Sequence, residues 1–232
     1  MQAQEASTFV FFKLWPWVEA NIKRIGIGIS IAAVAAFLLS FYFWQQNQKE
    51  VAAGQALTQL IVATPPNVSA SELADSYLQI ANTHPGTLAA QRALLRGAAE
   101  LFAASRYADA QMEFQKFLDA HPDSQFSSQA ALGIAASFEA QDKTDLAVGA
   151  YQRIINGFTD PLAADSAKFA LARIYESQGK MSDARNFYQE VARANPNNSL
   201  GSEAASRAVE LKTKLPSTSS STVPPASFNL SH

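Results

Sequence analysis

Apolar and polar residues follow three regimes along the 232 residues. Residues 25–44, IGIGISIAAVAAFLLSFYFW, carry no charge. At about 1.5 Å per helical residue they reach roughly 30 Å, the hydrocarbon thickness of a bilayer. Beyond them, apolar residues recur at spacings of three and four, the pattern of helices with one buried face. Residues 216–232, PSTSSSTVPPASFNLSH, are uncharged and rich in serine and proline. Such a segment buries too little apolar surface to offset the entropy of ordering and is expected to be disordered.

The middle regime is internally periodic. Aromatic residues stand at Tyr77, Phe114, Tyr151 and Tyr188, each 37 after the last. Leu73, Ala110, Ala147 and Ala184 come four residues earlier, and Ile80, Phe117, Ile154 and Val191 three later. Together they line one helix face. Pro85, Pro122 and Pro196 end these helices, with Thr159 in the third place followed by Pro161. A partner helix precedes each of the last three, marked by Ala98, Ala135 and Ala172 and then by Leu101, Phe138 and Tyr175. The turns between the two helices fall near Ser105, Asp142 and Gly179. A helical hairpin cannot bury its apolar face alone, so the units must stack. Residues 47–63 supply the irregular first helix, continuing from the apolar stretch and ending before Pro65 and Pro66. Residues 199–215 repeat the first-helix pattern without a second helix and are expected to seal the stack. The predicted fold is all-α: one N-terminal transmembrane helix, then a solenoid of about four helical hairpins with a capping helix.

The ends of the apolar stretch suit a membrane. Tyr42 and Trp44 close it with amphipathic rings, and Lys23 and Arg24 stand directly before it. Lys13, Lys23 and Arg24 precede it while only Lys49 follows within twenty residues, which orients the N-terminus towards the cytoplasm. A cleaved signal peptide is the competing reading, but it needs a shorter core and a nearby small-residue site, and Ala52, Ala53 and Gly54 come too late. Residues 9–17, FVFFKLWPW, are too short to cross and are interrupted by Lys13 and Pro16, which suits the cytoplasmic interface. The expected division is a cytoplasmic segment 1–24, a span 25–44, an exported repeat domain 45–215 and a tail 216–232. Within the span, Gly28, Ala32, Ala36 and Ser40 recur every four residues. Such a stripe lets a second membrane helix approach closely, although small residues are also simply common in membrane helices.

Composition narrows the chemistry. Only 16% of residues are charged against 48% hydrophobic, and the net charge of −2 gives no basis for nucleic-acid binding. Having no cysteine, the chain has no disulfide, thiolate site or lipid-modified cysteine. No phosphate loop, HExxH or GxSxG occurs, and the GIGIS at 26–30 lacks the third glycine of a dinucleotide fingerprint. His84 and His121 each precede a helix-ending proline, but equivalent places in stacked hairpins lie too far apart to share one metal ion. Glu100, Glu113 and Asp119 belong to solvated helix faces. The chain reads as a non-enzyme without a cofactor, and the sequence leaves oligomerisation open.

The columns of alanine, aromatic and proline resemble the tetratricopeptide repeat, most closely in ALARIYESQGKMSDARNFYQEVARANP. The period is 37 instead of 34, the first-helix tryptophan is absent, and Lys168 takes a column held by Leu94 and Ala131. A cytoplasmic segment, one span and this domain together resemble the YfgM-like family of inner-membrane proteins, ancillary to the Sec translocon. That resemblance implies protein partners: translocon subunits, and periplasmic chaperones or their clients. It also implies an inner-membrane location with the repeats in the periplasm. The alternative is a tethered scaffold for a cell-division or outer-membrane assembly complex. The repeat's usual groove positions carry over to Arg92, Leu95 and Phe102, to Gln129, Leu132 and Glu139, and to Phe169, Arg173 and Glu176. A groove of apolar anchors and both charge signs suits a polypeptide, with Leu95, Leu132 and Phe169 equally suited to packing between repeats.

Overall fold

The structure, a computed structural model, describes residues 2–214, and of residues 2–18 and 25 the backbone only. The serine- and proline-rich stretch 216–232 lies outside the described residues. Nine helices are present among the described residues: α1 Gln2–Ala63, α2 Ala70–Thr83, α3 Leu88–Ala103, α4 Tyr107–Ala120, α5 Ser127–Ala140, α6 Thr144–Gly157, α7 Pro161–Ser177, α8 Met181–Ala194 and α9 Ser199–Lys214. The chain divides into two compact units, Met1–Thr64 with Gln79–Arg92, and Pro65–Leu78 with Ala93–His232.

In the first unit α1 runs unbroken for 62 residues, so the apolar stretch and the leading helix of the first hairpin form one rod. Its section Glu19–Ala63 is long and apolar enough to cross a membrane, and none of its apolar window is buried. Phe37 stands 70% exposed, with Ile27, Ile31, Leu38 and Phe41 similarly bare. The hydroxyl of Ser30 donates to the Gly26 carbonyl at 2.9 Å, which satisfies its polarity inside the helix. Further along, the Glu50 carboxylate accepts the backbone N–H groups of Leu88 at 2.7 Å and Ala89 at 2.9 Å. Thr87 accepts the N–H of Ala90 at 3.0 Å. The otherwise unpaired donors at the start of α3 are thereby satisfied by a carboxylate that the helix dipole also favours.

In the second unit each helix packs on the next from α4 to α9, and α5 also touches α7. Three hairpins share one turn. The N–H of Ser105 donates to Phe102 and that of Arg106 to Leu101; Asp142 and Lys143 donate to Glu139 and Phe138, and Gly179 and Lys180 to Glu176 and Tyr175. This is the Schellman arrangement, which requires a left-handed residue just past the helix. Ser105, Asp142 and Gly179 have φ of 61°, 59° and 76°. In the last turn the Lys180 ammonium lies 5.2 Å from the centre of the Tyr175 ring, covering the residue its N–H bonds to.

The sequence columns form the core. Ala98, Ala135, Ala172, Ala110, Ala147 and Ala184 are all fully buried, so the two helices of each hairpin approach closely. Phe117, Ile154 and Val191 sit between them almost without exposure, each contributing roughly 1.5–3 kcal/mol of burial. Gly133 is needed where α5 passes Phe114, because a Cβ there would lie 2.5 Å from the ring. Pro161 differs from its expected role. Instead of ending α6, which stops at Gly157, it opens α7 behind Asp160, whose carboxylate accepts the Leu162 N–H at 3.0 Å. An aspartate–proline pair suits a helix start as well as a stop, because the missing proline N–H has no partner there in any case. At the far end α9 has polar residues on its outer face and packs through Ala204, Ala208 and Leu211. Its start is close-packed: a Cβ on Gly201 would meet the Asn195 carbonyl oxygen at 1.7 Å.

Candidate functional site

The nine residues carried over from the repeat's groove lie on the first helices of three hairpins, α3, α5 and α7. Arg92 belongs to the first unit and is exposed there. The other eight belong to the second unit and separate into two groups. Leu95 and Phe169 are 4% and 9% exposed and serve packing, Phe169 meeting the Tyr188 ring edge-on at 5.3 Å. Leu132 is partly buried against the cluster around Tyr151 and Ile154. Phe102 is half-buried, its ring edge-on to that of Tyr107 across the hairpin turn at 5.0 Å. Gln129 is exposed on α5. Glu139, Arg173 and Glu176 provide the charge.

The two glutamates belong to a pattern that repeats with the period of the fold. Tyr151 in α6 donates its hydroxyl to Glu139 at 2.9 Å, and one unit later Tyr188 in α8 donates to Glu176 at 3.1 Å. Burial pushes the Tyr151 hydroxyl far above its ordinary pKa, and the negative charge and hydrogen bond of Glu139 push it further. Tyr188 is raised in the same way, by burial first and then by Glu176. Arg173 of α7 reaches back to pair with Glu139 of α5, tying adjacent first helices. With the Arg173 side chain 56% and that of Glu139 27% exposed, such a pair is worth only about 0.2–1 kcal/mol.

The periodic tyrosine–glutamate pair is a feature sequence reading did not link, although both columns, Glu139 with Glu176 and Tyr151 with Tyr188, are spaced by 37. Glu50 was equally hidden, since its partners lie 38 and 39 residues away. In α1 the four small residues Gly28, Ala32, Ala36 and Ser40 are all exposed, and a Cβ on Gly28 would meet nothing within 4 Å. His121 rests its ring 5.3 Å from Phe117, as part of the hairpin packing. Among the described residues no group of three or more histidine, aspartate or glutamate side chains is placed to hold a metal ion.

These first helices carry the half-buried Phe102 and Leu132 together with the Glu139–Arg173 pair. Comparison with curated proteins gives no significant match. Residues 16–215, most of the chain, match the family described as tetratricopeptide repeat-like domain. All-helical repeats of this kind are typically protein-interaction scaffolds without catalysis, and the hairpins of α3 to α8 fit that description. The chain belongs to the tetratricopeptide repeat-like domain family.

Proposed function

We propose that this protein is a membrane-anchored protein-binding module of a bacterial inner membrane. Residues 1–24 lie in the cytoplasm, residues 25–44 cross the bilayer, and residues 45–215 act in the periplasm beside the Sec translocon. There the repeats receive exported polypeptides on the way to periplasmic chaperones, with Phe102, Gln129, Leu132, Glu139, Arg173 and Glu176 as the receiving face. One observation carries the reading: among the described residues nothing buries the apolar window of α1, yet the same helix runs on unbroken to Ala63. A bare apolar helix of this length in water is untenable, and a bilayer supplies the missing surroundings. Gly28, Ala32, Ala36 and Ser40 then form the face for a translocon helix.

The test is in-cell crosslinking followed by mass spectrometry, comparing the native chain with Gly28→Leu, Ala32→Leu, Ala36→Leu. Translocon subunits and periplasmic chaperones are expected from the native chain, with the translocon lost from the triple variant. Cell-division or outer-membrane assembly proteins, unchanged by the triple variant, would replace this reading with that of a tethered scaffold.

A further inference from the structure

Between α4, α5 and α6 lies a half-open cavity of about 260 Å³, lined by none of the nine groove residues. Leu118, Ala131, Ile134, Ala150, Ile154 and Phe158 line it, and Gln115 and Arg153 stand at its rim. Ala131, Ala150 and Ile154 belong to the core cluster of this part of the chain, and Leu118 and Phe158 pack against that cluster. The floor is therefore a fixed part of the fold.

The repeat explains why the cavity is open here. One period later the columns of Ala131, Ala150 and Arg153 hold Lys168, Phe187 and Glu190. There the larger Phe187 packs against the core, and the Lys168 ammonium pairs with Glu190 at 3.1 Å. One period earlier the same columns hold Leu94, Glu113 and Lys116, and Lys116 pairs with Glu113 at 3.3 Å. Only the middle joint combines two alanines with a guanidinium that has no ion pair or hydrogen bond among the described residues.

The cavity falls below the roughly 300–1,000 Å³ of small-molecule sites and is sized for one large side chain. Its rim specifies what must accompany that side chain. Arg153 offers a forked donor set matched to a carboxylate. Gln115 donates its amide N–H to Asp119 at 2.7 Å, which leaves its carbonyl oxygen to accept an N–H. An apolar side chain, a carboxylate and an uncharged N–H occur together at the C-terminus of a polypeptide; an internal residue lacks the charge, and a free amino acid carries an ammonium, for which the lining offers no carboxylate. We propose that this cavity binds the C-terminal residue of another polypeptide, its apolar side chain inside and its free carboxylate on Arg153. This requires that the protein bind polypeptides, but not that the first-helix face do so.

The test uses the full chain in detergent micelles and N-terminally fluorescent octapeptides ending in Leu, Ile, Phe or Met, each as free acid and as C-terminal amide. Fluorescence anisotropy is expected to show at least one free acid binding about tenfold or more tighter than its amide twin, the scale of one charge-assisted contact. Arg153→Gln, an exposed position, should remove that preference. Ala150→Phe, which places in the cavity the residue found one repeat later, should abolish binding of acid and amide alike. Should that variant not fold, Arg153→Gln decides alone. Equal binding of the twins, an acid preference that survives Arg153→Gln, or no binding by any probe would overturn the proposal. So would binding of dodecanoate without any peptide, which would assign the cavity to free acyl chains. Carrying Arg153→Gln through the crosslinking experiment separates the two readings, since the partners held by the first-helix face are expected to stay.

Discussion

Three residues, Ser105, Asp142 and Gly179, occupy the same left-handed place in the same turn. Only the glycine does so without a steric penalty, which for other residues is about 1–2 kcal/mol. Ser105→Gly should therefore stabilise the protein by a few tenths to about 1 kcal/mol, the relief being partly offset by the greater freedom of glycine in the unfolded chain. Asp142→Gly should gain less, because aspartate tolerates this conformation through local hydrogen bonding. Gly179→Ala should lose about 1 kcal/mol. Urea midpoints with an unchanged slope would report this ordering, and three equal shifts would refute it. The turn positions were legible from the period alone. Their conformation was legible only at Gly179, because serine and aspartate are common in loops of every kind.

At the scale of elements, each of the last two hairpins is closed by a tyrosine of its second helix donating to a glutamate of its first. Both tyrosines hold their protons more firmly folded than unfolded, where the ordinary value is 10.0. Below pH 10 both states are protonated and the contribution is complete. Above it the unfolded chain releases protons that the folded chain retains, so stability falls as pH rises. Chemical denaturation between pH 8 and 11 should show that fall, and Tyr151→Phe or Tyr188→Phe should make it shallower. Element boundaries followed the columns where sterics are local: α4, α6 and α8 begin at Tyr107, Thr144 and Met181, one period apart. They departed at α7, which begins at Pro161, because the same proline that blocks one helix opens another.

For the molecule as a whole, stacking of hairpins was readable because alanine and aromatic columns 37 residues apart have no other economical explanation than one repeated packing. The candidate faces were less readable. Leu95 and Phe169 have the same alternation whether they face a ligand or a neighbouring helix, and only burial separates the cases. The cavity beside Arg153 arises from what is missing at Ala131 and Ala150, and an absent side chain leaves little mark on a hydrophobic pattern. The continuity of α1 has one further consequence. Because the small-residue stripe and Glu50 ride on one uninterrupted helix, and Glu50 is fastened to the start of α3, their azimuths are locked together. Inserting one alanine after Gln46 would turn the stripe by about 100° about the helix axis, two by about 200°, whereas seven would bring it back to within about 20°. Crosslinks made through that stripe should vanish with one or two inserted residues and return with seven. α1 would then act as an axle, transmitting angular phase from the stripe to the start of α3.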